Sequence, residues 1–175
     1  MFNTSARTSF GHNPQKLMGH LQALKTVDTY IQLLEKAFII FRLSSFGKNP
    51  RKEITTLRKI YFYDNGIRNA IISNFNSLDL RQDTGILWEN FMISERVKFL
   101  HYNNISANIY FWRNKQGNEI DLIEERDGKI YAFEFKYSPL KVPKVPKLFK
   151  ETYHPEYKMV NPENFIDFLT NPSGT

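Results

Sequence analysis

"EIDLIEERDGKIYAFEFKYS", residues 119–138, is the stretch that decides the fold. Asp127-Gly128 is a type I′ turn signal, since both central residues of that turn need positive φ. With Arg126 and Lys129 flanking the turn, pairing runs outward and sets Asp121 opposite Glu134 and Glu119 opposite Lys136. Alternation puts these four charged residues on one face and Ile120, Leu122, Tyr131, Phe133 and Phe135 on the other. The apolar face is core. A one-residue slip would turn it outward, so the register is well specified. Directly opposed side chains have Cβ atoms about 5 Å apart, and two carboxylates placed so destabilise the pair. A divalent cation with oxygen ligands, such as Mg2+, turns that repulsion into coordination. Lys136 then balances charge, orients a water, or stabilises negative charge on a phosphate. The plainer alternative is a solvated charged face in which Lys136 pairs with Glu119.

A third carboxylate lies upstream. From Asp83 to about Leu100, "DTGILWENFMISERVKFL" reads as a helix whose polar sector is Asn90, Ser94, Glu95 and Lys98. Glu89 falls outside that sector, among Ile86, Met92, Ile93 and Leu100, with only Arg96 for polar company. A carboxylate on the core side of a helix is costly without a partner. Either it serves a site, or Arg96 pairs with it.

Composition narrows the class. The chain has 175 residues, 15 Phe, 9 Tyr, no Cys and a formal net charge of +6. Without cysteine there are no disulfides, thiolate metal sites or cysteine nucleophiles, which fits a cytoplasmic protein. Four scattered histidines give no zinc spacing. No stretch reaches the roughly 18 apolar residues of a membrane span, and residues 1–14 lack the apolar centre of a signal peptide. The positive charge suits an anionic partner such as DNA.

Upstream of residue 60, Asn13-Pro14 opens a helix with Leu17, Leu21 and Leu24 at helical spacing. A second helix spans about 26–37, then come a strand at 38–43, a basic turn at 46–53 and a strand at 59–63. Two helices and a basic hairpin outline a winged helix, which binds either DNA or protein. "DNGIR" (64–68) caps a short helix, and "NIYFWR" (108–113) reads as a buried strand. Lys141, Lys144, Lys147 and Lys150 recur every third residue around Pro143 and Pro146, as on one edge of a polyproline-like segment. That edge is either a solvated linker or a phosphate contact. A strand at 156–160 and a helix at 162–169 close the chain.

Helix with Glu, strand with Asp, strand with Glu-x-Lys: this order resembles the PD-(D/E)xK nuclease superfamily. "KIYFYDNGIRNAI", "GILWENF", "YFWRNKQGNEIDLI" and "YAFEFKYS" are similar to the C-terminal, restriction-endonuclease-like region of a family of bacterial and archaeal AAA-type ATPases. "LKTVDTYIQLLEKAFIIFRL" resembles the winged-helix segment that precedes it. The likeness covers about residues 25–138. It implies an α/β (α+β) fold, a mixed sheet flanked by helices, with a winged-helix-like segment at 1–60 and a nuclease-like domain at 61–175. It also implies Glu89, Asp121, Glu134 and Lys136 as catalytic residues, the three carboxylates holding Mg2+ or Mn2+. Ile120 stands where these nucleases often have proline. No G-x-x-x-x-G-K-[ST] occurs, so the chain carries no ATP site, and an ATPase module is expected elsewhere in the gene product or in a partner chain. The competing expectation is a non-catalytic regulatory domain of such an ATPase that binds DNA or protein.

Overall fold

Six strands form one mixed sheet in the order β2-β1-β3-β4-β5-β6. They are β1 (Ile40–Phe46), β2 (Arg58–Phe62), β3 (Asn108–Arg113), β4 (Glu119–Arg126), β5 (Lys129–Phe135) and β6 (Glu156–Val160). Among the described residues, five α-helices accompany them, α1 (Pro14–Lys36), α2 (Asn65–Ile71), α3 (Thr84–Tyr102), α4 (Lys147–Tyr153) and α5 (Phe165–Thr170), with a short 3-10 helix at Leu78–Leu80. The computed structural model describes residues 14–48, 57–138, 140 and 144–172, with side chains from residue 25 onward.

The two faces of the sheet are covered separately. Leu43, Tyr61, Leu122, Phe133 and Phe135 pack with Met92 and Ile93 of α3 and Phe168 of α5. On the opposite face Phe46, Trp112, Ile120, Ile123 and Ala132 pack with Phe149 and Tyr153 of α4. The architecture is thus three-layered, and central strands buried on both faces read as near-continuous apolar runs. β4 shows this, with Ile120 to Ile123 all buried.

The hairpin has the expected register. Leu122 faces Phe133 and Arg126 faces Lys129, and Asp127 and Gly128 take φ of 53° and 72°. One face assignment is corrected. Tyr110 pairs with Ile123 but Trp112 pairs with Ile120, so Asp121 and Leu122 together oppose Phe111. This bulge moves Ile120 to the α4 side, away from Leu122.

The N-terminal outline differs more. Residues 14–36 form one helix, with no break at Lys25-Thr26. The hairpin β1–β2 is part of the main sheet, because β1 pairs parallel with β3 through Ser44–Tyr110 and Phe46–Trp112. Buried on both sides, Ile40, Leu43 and Phe46 need that interior position. Asn13 and most of the basic turn lie outside the described residues. Downstream, Lys147 and Lys150 stand on α4 rather than on a polyproline edge, since Phe149 and Tyr153 anchor a helix there. Lys141 is outside the described residues.

Candidate active site

Asn90 ties α3 to the backbone at the sheet edge. Asn90 Nδ2 donates to the Phe62 carbonyl at 2.9 Å, and the Phe62 amide donates to Asn90 Oδ1 at 2.8 Å. The backbone of edge strand β2 is satisfied by this amide, which the polar sector of the helix had placed in solvent. With Asn90 fixed, Glu89 is turned toward β2. Tyr61 Oη donates to Glu89 Oε1 at 2.7 Å, and Lys59 Nζ donates to the same oxygen at 3.0 Å. Arg96 is not its partner. That guanidinium is fully buried, pairs with Glu124 through Nε–Oε1 at 2.7 Å, and donates to the carbonyls of Phe168, Asn171 and Pro172.

Asp121 is placed by the bulge. Its Oδ2 accepts the Phe135 amide at 2.9 Å, which ties the start of β4 to the end of β5. The residue is 7% exposed. Burial, together with the charges of Glu89 and Glu134, pushes its carboxyl up to about 7. Burial raises Glu134 as well, although the hydrogen bond from Lys136 opposes it. Lys136 Nζ lies 2.5 Å from Glu134 Oε1. For Lys136 itself burial favours the neutral amine, but the carboxylates of Glu134, Asp121 and Glu89 outweigh it, so its pKa is raised and it stays an ammonium.

Lys59 completes the cluster from β2. It bridges Glu89 and Glu119, and its pKa is raised by those carboxylates against the effect of burial. Arg113 reaches Glu119 from the outer side at 3.7 Å. The pairing of Lys136 with Glu119, the plainer sequence alternative, is therefore absent: Lys136 takes Glu134 and Glu119 takes Lys59. All four residues expected from the sequence, Glu89, Asp121, Glu134 and Lys136, act on one another electrostatically. Lys59 and Tyr61, which sequence reasoning missed, join them, and so does Glu119, which the hairpin register had already placed on the charged face. Glu119 carried a signal through its place in the hairpin; Lys59 and Tyr61 alternate on an edge strand and gave none.

Chemically, the cluster is a set of hard oxygen donors crowded in a half-buried setting and held by two ammonium groups. Among the described residues, no three acidic or histidine side chains are gathered closely enough to hold a metal ion. Within the set, the charges of Glu89 and Glu134 both raise the Asp121 carboxyl. Glu89 is engaged by Lys59 and Tyr61.

Fold and cluster define a three-layer mixed α/β protein with a carboxylate–lysine site at one end of its sheet. Residues 84–170 match a family described as "Domain of unknown function (DUF4143)", and residues 11–79 match "Domain of unknown function (DUF8612)". The two matches meet between α2 and α3, and the sheet runs across that join. Uncharacterised proteins of Mycobacterium bovis and Mycobacterium tuberculosis are each 29% identical over 116 residues, covering 65% of this chain. The chain spans about a quarter of the length of these curated relatives, the match covering 25% of each. No solved structure matches. Among the described residues, no helix is long and apolar enough to cross a membrane.

Proposed function

We propose that the cluster is the active site of a metal-dependent phosphodiesterase acting on DNA, in a domain that works with an AAA-type ATPase module. The observation that carries this reading is Asp121: a buried carboxylate held beside Glu134 and within the field of Glu89, with Lys136 adjacent. Strongly perturbed groups that converge in a cleft mark candidate catalytic sites. Asp121 and Glu134 would hold Mg2+ or Mn2+ by hard-oxygen coordination. When bound, the ion supplies stabilisation of the charge that builds on a phosphate during displacement. Lys136, an ammonium at neutral pH, adds positive charge beside the same phosphate and cannot serve as a base. Glu89, fixed by Tyr61 and Lys59, would complete the site or position its water. The likeness to the nuclease superfamily and to ATPase C-terminal regions supports the assignment.

A second reading is favoured by the lysines. Lys59 and Lys136 already neutralise much of the cluster, as they would in a non-catalytic regulatory domain that binds DNA or protein. Nicking of supercoiled plasmid with Mn2+ separates the two. Wild type should nick and Glu134→Ala should not, while both melt at similar temperatures without metal. Absence of nicking by wild type, also in the presence of its ATPase module, would favour the regulatory domain.

A further inference from the structure

Next to the carboxylate cluster is a second hollow of about 310 Å³, walled by Leu87, Trp88, Phe91 and Tyr137, with Asn65 and Asn69 also lining it. The hollow that contains Glu89 and Lys136, about 380 Å³, shares Tyr137 with it. The chain itself makes this adjacency. Trp88 precedes Glu89 on α3, and Tyr137 follows Lys136 beyond β5. Glu89 and Lys136 thus line one hollow, Trp88 lines the next, and Tyr137 stands between the two.

The second hollow is aromatic and amide-lined, with no charged side chain among its walls. It therefore suits a flat neutral group and not a phosphate or carboxylate. The rings of Trp88 and Tyr137 meet edge to face, with centroids 5.8 Å apart at 69°, so they are not stacked on each other. Tyr137 is 42% exposed, which leaves ring surface for a third planar partner. Stacking of a base on an aromatic side chain is tolerant of sequence, because every base has a π-face.

We propose that this hollow receives one unpaired nucleobase of a strand whose phosphate lies at the neighbouring Glu89–Lys136 hollow. The substrate class is then single-stranded nucleic acid or an unpaired end, because a base within a duplex enters such a pocket only after unstacking and unpairing. The inference rests on the phosphodiester reading above, but only for the position of the phosphate.

The test uses the full chain with Ca2+, a hard cation that oxygen ligands accept, and a gel confirms that each ligand is recovered at full length, so that binding is read apart from cleavage. Anisotropy of three labelled ligands is compared: a short oligothymidylate, a duplex of equal length and an abasic strand of equal length. Tryptophan emission reports contact at the hollow, because Trp112 is fully buried and Trp88 is the responsive ring. Wild type should bind oligothymidylate more tightly than duplex or abasic strand, with quenching. Tyr137→Ala should weaken oligothymidylate binding on the order of tenfold to a hundredfold, the effect of losing one stacked base. It should leave the abasic strand unaffected, and Tyr137→Phe should restore binding. Equal affinity for all three ligands, or equal loss on all three in Tyr137→Ala, overturns the proposal. Base-dependent binding through Tyr137 in a protein that never nicks DNA would sink the nuclease reading and keep the pocket. Nicking without any single-strand preference would do the reverse.

Discussion

Asp121 is where sequence, packing and chemistry meet. It occupies a bulge, its Oδ2 is used by the Phe135 amide, and burial with the fields of Glu89 and Glu134 brings its carboxyl to about 7. The folded value lies above the ordinary 3.8, so the associated stability is fully present below about pH 4 and is lost as pH rises through about 7. In EDTA, the melting temperature should therefore carry a downward component between about pH 4 and pH 7, the ordinary and the folded value. Asp121→Asn should flatten that component and melt several degrees higher at the alkaline end. A pH profile unchanged by the substitution would contradict the assigned burial and repulsion. Arg96 makes a second residue-scale case. Its removal leaves the buried Glu124 with Arg126 Nε at 3.2 Å as its remaining cation and three carbonyls without their donor, so Arg96→Ala should cost about 3–5 kcal/mol by denaturant unfolding. Arg96 was legible only as a polar residue near Glu89; its true partner is on β4, beyond the reach of helical spacing.

At the scale of elements, the hairpin was the most readable part. Asp127-Gly128 specified the turn, and the apolar alternation of β5 specified the register. Gly128 has φ of 72°, so Gly128→Val should destabilise by about 1–2 kcal/mol, while a Val at exposed Lys129 should be nearly neutral. Equal effects in urea melts would argue against the left-handed turn. The bulge opposite Phe111 was not readable, because nothing local marks where one extra residue is absorbed; it decides that Asp121 meets Phe135 and that Ile120 turns to α4. Helix α3 was legible in extent but not in orientation. Asn90 and Ser94 are buried, so the polar sector of the sequence was not the solvent side. Asn90 instead satisfies the backbone of an edge strand, a duty that only the tertiary structure reveals. Helix α4 was hidden by the regular Lys and Pro spacing, and only Phe149 and Tyr153 hinted at an anchored segment.

For the molecule as a whole, an α/β protein with a mixed sheet was legible, and the place of residues 40–62 within that sheet was not. β1 finds its parallel partner β3 more than sixty residues away in sequence, a pairing with no local signature. Lys59 was missed because nothing local to an edge strand marks which of its side chains reach α3, whereas the four motif residues were found through their order along the chain. The net charge of +6 bears on partners. If the protein binds DNA, affinity should fall steeply with salt as counterions are released, and Lys136→Ala should retain most of the low-salt affinity while losing cleavage. No binding at low salt would favour a protein partner.

On the proposed function, Asp121 and Glu134 form a cation site as well as a repulsive pair. Its most direct test is the rise in melting temperature on adding Mn2+ to metal-free protein at about pH 8, where Asp121 is deprotonated and free to coordinate. Wild type should show a concentration-dependent rise that shrinks toward pH 6, and Asp121→Asn should show none. A melting temperature indifferent to Mn2+ in wild type, or a rise of equal size in Asp121→Asn, would contradict it.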